Sequence, residues 1–405
     1  MNVPAVPKYV RDAAGGFGGI PPGHRFNLYF PLWRDDWQLD KNGKAAALRE
    51  CRKLGDAAAP LEALLARQQT LAEALTEDHR HIIEGRSTSP FATGLGLEHP
   101  VENGFAFLSP YGLPYLAGSG VKGVLRRAAE ELLDDGEEGV THTVIAALFG
   151  HEERRGALPP DQEERRNAHR GALTCWDVFP VPPKGELDVE IMAPHFTHYY
   201  QPEKGKEHLA TPHDAGKPNP IPFLSVPARS GFRFVITCEP ALLPPDIGDW
   251  KAVIQKIIQH TFDWLGFGAK TAVGYGVLEE DLAAAETRQR NEDAARQRAT
   301  QVAKAVRLAS LSPEAQEMET ARACMATFRS AFESEKAKGK YKAGSPIDEK
   351  RLNFFRLALE WKAPAARAEA AALLREAIKW SDWPGNKERK QQFKDGLAAL
   401  DSGTT

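Results

Sequence analysis

The sequence is short of sulfur: 4 Cys and 4 Met in 405 residues. Cys51, Cys175, Cys238 and Cys324 stand singly, without the CxxC spacing of a zinc site or the density of a disulfide scaffold. They read as reduced core residues, and no metal or other cofactor is expected. No apolar run approaches the roughly 18 residues of a membrane span. The opening Met1-Asn2-Val3-Pro4 lacks the basic and apolar regions of a signal peptide. The expectation is a cytoplasmic chain without membrane contact. Neither sign of charge is in excess, with 52 Lys and Arg against 55 Asp and Glu, and 42% of residues are hydrophobic, which excludes a wholly disordered chain. The balance conceals an asymmetry. From Glu286 onward there are 23 basic and 17 acidic residues, net +6, so within a total of −3 the preceding part carries −9. Overall charge therefore neither favours nor disfavours nucleic acid; only local patches can.

Periodicity supplies the organisation. Phe26, Leu28, Phe30 and Leu32 alternate with Asn27 and Tyr29, predicting a strand that Pro31 ends or places at an edge. Residues 45–75 read as two helices broken at Gly55 and Pro60, and residues 82–86 and 104–108 as short strands. Val121, Val124, Leu125, Ala128 and Leu132 recur at helical spacing, predicting a helix over 119–133 with Ser119 as N-cap. A second helix covers 143–149, a charged loop 152–170 and a strand 173–178. Residues 180–227 are a proline-rich extended excursion. A strand follows at Phe232, Phe234, Ile236 and Cys238. The clearest helical stripe runs from Trp250 to Leu265 and is closed by Gly266, and a last strand covers 275–278. This order is α+β, compatible with a ferredoxin-like split βαβ sheet carrying large insertions. Strand signals then stop, so residues 1–283 and 284–405 are expected to form separate domains, the second all helical.

Two glycine-rich stretches can carry chemistry. In the first, Gly118 and Gly120 allow close backbone approach, the helix N-terminus presents free N–H groups to an anion, and Lys122 and Arg126 project from one side of the same helix. The competing reading is a capped helix with Arg126 paired to Glu130. The second, Gly266-Phe267-Gly268-Ala269-Lys270-Thr271-Ala272-Val273-Gly274-Tyr275-Gly276, is a turn whose N–H donors suit phosphate oxygens, or else a plain connecting loop. It is not a Walker A loop, which follows a strand and opens a helix. His195, His198, His208 and His213 lack the neighbouring ligands a metal needs, and read as groups on an extended loop touching RNA or solvent.

Residues 115–126, the Phe149-Gly150 helix end and residues 266–276 together resemble the RAMP superfamily of CRISPR effector proteins. Further motifs are Thr93-Gly94-Leu95-Gly96, Glu102-Asn103-Gly104, Pro110-Tyr111-Gly112, Asp177-Val178-Phe179-Pro180, and Met192-Ala193-Pro194-His195 with Tyr199-Tyr200. With them the stretch resembles the family of sixth subunits of type III-B (Cmr) complexes. Gly120 stands where that family usually carries a second Ser. The resemblance implies a ferredoxin-like (RRM-like) RAMP palm with insertions. It further implies a non-catalytic antiviral-defence subunit that holds the 3′ side of the CRISPR guide RNA, caps one end of the complex and meets target RNA only indirectly, beside the other subunits. The implied RNA contacts are Gly118, Ser119, Lys122, Gly123, Arg126, Gly266, Gly268, Lys270, Thr271, Gly274, Tyr275 and Gly276, with His195, His198 and Tyr199 as further candidates. The alternative is a metal-independent RAMP endoribonuclease processing CRISPR RNA, with His195 or His198 as general base and Lys270 stabilising the transition state.

Overall fold

Two consecutive prolines, Pro21 and Pro22, set the start of helix α1 (Pro22–Asn27), with Pro22 at its first position, where the missing N–H costs nothing. The expected strand over 26–32 is therefore helix followed by a short strand, β1 (Pro31–Trp33). The alternation misleads because Phe26 and Phe30 are four apart, a spacing that fits one face of a helix as well as one face of a strand. Their rings meet edge-on at 5.8 Å. The computed structural model describes residues 2–402 apart from 14–18, 152–168, 194–196, 201–203, 206–210, 212–219, 340–344 and 381–386.

Helices α2 (Lys44–Glu50) and α3 (Ala58–Glu73) follow, separated at Gly55. Pro60 is no break; it lies in the first turn of α3, where no intrahelical donor is needed. The central sheet combines β2 (Arg80–Ser87), β3 (Leu173–Cys175), β6 (Gly231–Cys238) and β7 (Leu278–Glu280). Between these strands run helices α4 (Gly118–Asp134) and α5 (His142–Phe149), the antiparallel hairpin β4 (Asp188–Met192) and β5 (Ile221–Ser225), and helix α6 (Trp250–His260). The spatial order is β7-β2-β6-β3, with every neighbouring pair antiparallel.

Register assigns the faces. Ile83 opposes Phe234 and Gly85 opposes Phe232 on one side. There α4 and α6 pack on each other and on the sheet, burying Val121, Leu125, Ile254 and Ile258 in the same core as Ile83 and Phe234. Leu125 and Ile254 are wholly inaccessible, each burial stabilising by roughly 1.5–3 kcal/mol. Asp249 accepts the Lys251 N–H at the start of α6; at its end a turn of π-helix over Thr261–Leu265 leads to Gly266 at φ 67°. The opposite face carries Ile82, Glu84, Arg233 and Val235. Helix α3 closes it: Gln69 accepts from Arg233 Nη1 at 2.8 Å, while Arg233 Nε donates to Glu84 at 2.7 Å. Glu84 and Val235 are buried as a result.

The expected last strand shifts from 275–278 to β7 because Tyr275 and Gly276 are used in closing the preceding loop, donating to the carbonyls of Lys270 and Pro90. The expected strand over 173–178 is shorter for a similar reason: after Trp176 donates to Val235, Asp177 turns away toward α4. Of the expected charged loop over 152–170, only His169 and Arg170 are described, paired with His151 and Gly150; the rest lies outside the described residues.

The chain divides into two compact units, Met1–Thr287 and Arg288–Thr405. Helix α7 (Leu282–Ala309) spans the division; Asp281 caps it, accepting from Ala284, and is held by Arg86. The described residues of the second unit are helical: α8 (Pro313–Lys336), α9 (Pro346–Glu360), α10 (Pro364–Trp380) and α11 (Lys387–Ser402). Phe328 stacks on Phe354 at 4.7 Å and Phe355 on Phe393 at 4.1 Å, within a core that includes Phe332, Leu373 and Leu374.

Candidate nucleic-acid interface

Helix α4 begins one residue earlier than the sequence suggests. Ala117, extended and without a side-chain cap bond, is the N-cap, and Ser119 is an exposed first-turn residue, which corrects its expected capping role. The reason is tertiary. Asp177 reaches across from the segment after β3 and accepts the Gly118 N–H at 2.7 Å, placing a carboxylate at the positive end of the helix. A Cβ on Gly118 would lie 2.1 Å from the Cys175 carbonyl oxygen, so this glycine lets the helix press on the strand. Gly123 is the opposite case: it sits exposed inside α4 with open space where a side chain would go. The Lys122 ammonium donates to the Leu173 carbonyl at 2.7 Å, and burial lowers its pKa. Arg126 pairs with Glu130 at 3.2 Å, as in the competing sequence reading, but both groups are partly exposed and such a pair contributes less than about 1 kcal/mol.

The 266–276 loop is more tightly bonded than an open phosphate nest. The amides of Phe267, Ala269, Tyr275 and Gly276 donate to Gly276, Ala92, Lys270 and Pro90. Gly266, Gly268 and Gly276 all have positive φ, and a Cβ on Gly276 would fall 1.8 Å from the Phe267 oxygen. These glycines let the backbone fold around Phe267, which is wholly buried against Phe234 and Phe262. Gly274 has positive φ with no atom near its missing side chain, and with Ala272 and Val273 forms the exposed tip. Lys270, itself left-handed at φ 63°, turns onto the hairpin, with Nζ 2.9 Å from Met192 Sδ and 5.9 Å from the Phe223 ring centre. Tyr275 reaches Glu190 on the same hairpin at 3.5 Å, and burial raises its pKa. Thr271 opens the short turn between Lys270 and Gly274. The helix start is thus anchored on residues 173–178 and the loop on residues 90–92 and the hairpin, so different segments hold the two constellations.

Both constellations fall inside one family match. Residues 86–279 match the RAMP superfamily. The Cmr6 subunit of the Pyrococcus furiosus CRISPR Cmr system is 26% identical over 244 residues, which cover 49% of this chain and 68% of that protein. Among solved structures, a chain of a type III-B Cmr-beta complex bound to cognate target RNA has a TM-score of 0.40 at 19% identity, covering 60% of this chain and 71% of that one. The crystal structure of Cmr6 from Pyrococcus furiosus has a TM-score of 0.27 at 24% identity, covering 50% and 98%.

The matched segment contains every predicted contact, and not all lie among the described residues. His195 lies outside the described residues, and of His198 only the backbone, in the short helix Thr197–Tyr200, is described. Tyr199 is 40% exposed beside Tyr200 at 77%. Among the described residues no group of three or more His, Cys, Asp or Glu is placed to hold a metal, and no helix is long and apolar enough to cross a membrane. Two groups were missed by sequence reasoning. Asp177 stood in the sequence as part of a family motif, but its role at the start of α4 carried no local signal, since its partner amide is 59 residues away. Arg170 was absorbed into a charged loop, yet its guanidinium reaches Thr174 on β3 at 3.1 Å.

Proposed function

We propose that this chain is a non-catalytic RNA-binding subunit of a type III-B CRISPR effector complex, one that holds the 3′ side of the guide RNA, caps one end of the assembly and acts in the cytoplasm beside the other subunits. The observation that carries the reading is the Cmr6 relationship, which extends over two thirds of that relative, together with the RAMP match over residues 86–279, which contains both glycine-rich elements. The strand order β7-β2-β6-β3 with α4 and α6 on one face supports a ferredoxin-like palm. The basic side chains at the start of α4 and the exposed tip of the 266–276 loop supply the expected phosphate contacts, while α3 covers the remaining sheet face and directs RNA to the edges and loops.

Co-purification of the full chain with the products of its surrounding genes, followed by sequencing of bound RNA, tests this directly. The expected result is a multi-subunit particle containing guide RNA. Recovery of the chain alone and free of RNA overturns the proposal, and defined cleavage of CRISPR RNA by the purified chain, abolished by His195→Ala, replaces it with the endoribonuclease reading.

A further inference from the structure

Strand β3 is an edge of the central sheet, and basic side chains converge on it from two directions. Lys122 and Arg126 arrive one turn apart on α4, Lys122 meeting the Leu173 carbonyl. Arg170 arrives from the ladder formed with Gly150 and meets the Thr174 hydroxyl, one residue further along β3. An ammonium has three donors and a guanidinium five, and among the described residues these single bonds use one donor of Lys122 and one of Arg170.

Among the described residues the one carboxylate paired with this cluster is Glu130, on Arg126. The groups that act on Lys122 are burial, the Cys175 thiol and the two guanidinium groups of Arg170 and Arg126, with no carboxylate among them. Burial pushes the Cys175 thiol up to about 12, so it is neutral near pH 7 and offsets nothing. Asp177 is engaged by the Gly118 amide, and the exposed Glu130 pair of Arg126 is weak enough to exchange for a better anion. Arg170 and Arg126 act on Lys122 as like charges, with only the exposed Glu130 set against them among the described residues, a cost that a bound anion removes.

We infer that Arg170, with Lys122 and Arg126, forms an anion site on the outer edge of β3 that takes one phosphodiester group of single-stranded RNA. This rests on the RNA-binding reading and adds to it a residue and a place: the backbone passes the β3 edge, where Arg170 offers a planar fork and Lys122 a point charge.

The test measures affinity of the full-length chain for a mixed-sequence single-stranded RNA of about 20 nucleotides across a salt series, for wild type, Arg170→Gln, Arg170→Lys and Lys122→Gln. Arg170→Gln is expected to weaken binding about tenfold at low salt and to flatten the log–log salt slope by about 0.7, the value for one lost phosphate contact, while Arg170→Lys keeps the slope. Exposed Arg34, elsewhere on the unit, serves as control, and Arg34→Gln leaves both quantities unchanged. If wild type binds and Lys122→Gln weakens it while Arg170→Gln changes nothing, the Arg170 site is wrong and the RNA-binding reading survives. If wild type binds no RNA at low salt, both fall. Thermal melting of each variant confirms that Arg170→Gln is folded; should it not be, Arg170→Lys against wild type decides, since loss of binding in that folded variant shows the site needs the guanidinium and a changed slope overturns the single-phosphate assignment.

Discussion

Gly118 and Gly123 lie five positions apart on one helix and owe their presence to different causes. At Gly118 the neighbouring Cys175 carbonyl leaves no room for a methyl group, so Gly118→Ala is expected to destabilise the first unit by about 3 kcal/mol, read as a lower urea midpoint. At Gly123 nothing fills the space, and an interior helical glycine costs about 0.5–1 kcal/mol relative to alanine. Gly123→Ala should raise stability by that amount, and if the bare backbone serves RNA, the same variant binds RNA more weakly. A stabilised protein with unchanged RNA affinity would leave Gly123 without a functional role. His99 makes a second residue-scale case. Its ring stacks on Phe26 at 3.7 Å, Nε2 donates to the Phe26 carbonyl at 2.9 Å and Nδ1 accepts from the Val101 amide. Burial holds its pKa below the ordinary 6.5. The unfolded chain therefore takes up the proton first as pH falls past 6.5, so the contribution is full above that value and is lost below it. Urea midpoints should drop between about pH 7.5 and 5.5, and His99→Phe, which keeps a stacked ring without a proton to gain, should shrink that drop.

At the scale of elements, helix α3 over the second sheet face makes the Arg233–Glu84 pair a buried feature, with Glu84 only 8% exposed at its side chain. Arg233→Ala removes the guanidinium from both Glu84 and Gln69, and a loss of about 2–3 kcal/mol is expected in chemical denaturation. That covering could not be read from the sequence, because the alternation of β6 reports which residues share a face and not which helix lies on it. What was legible had a strong local signal: the Val121-Leu125-Ala128 and Val253-Ile254-Ile257 stripes became α4 and α6, and Gly266 closed the second. What was not legible depended on distant partners. Phe26 and Phe30 satisfied two periodicities at once, Ser119 lost the cap position to a carboxylate brought from Asp177, and Lys270 turned onto a hairpin whose strands lie about 80 and 50 residues upstream.

At the scale of the whole molecule, two separate cores imply two separable folding units. The first holds β2, β6 and α6 around Phe234, Ile254 and Phe267, and the second gathers Phe328, Phe354 and Phe393, with no residue shared between the clusters. Ending the chain after Thr287 keeps Asp281, its cap on α7 and its Arg86 partner, so no bond of the first sheet is cut. The truncated protein is expected to melt in one transition at the temperature of the corresponding transition in the full chain, and residues 288–405 to melt in another. The removed part, residues 288–405, carries 23 basic and 16 acidic residues, net +7, including the Lys336-Ala337-Lys338-Gly339-Lys340-Tyr341-Lys342 run. Its charge suits phosphate or an acidic neighbour. Assembly or RNA affinity should therefore fall in the truncated protein while its own melting stays in place. Aggregation of that protein would show instead that the helical part completes the first core, and unchanged assembly and RNA affinity would remove any binding role from the basic helices.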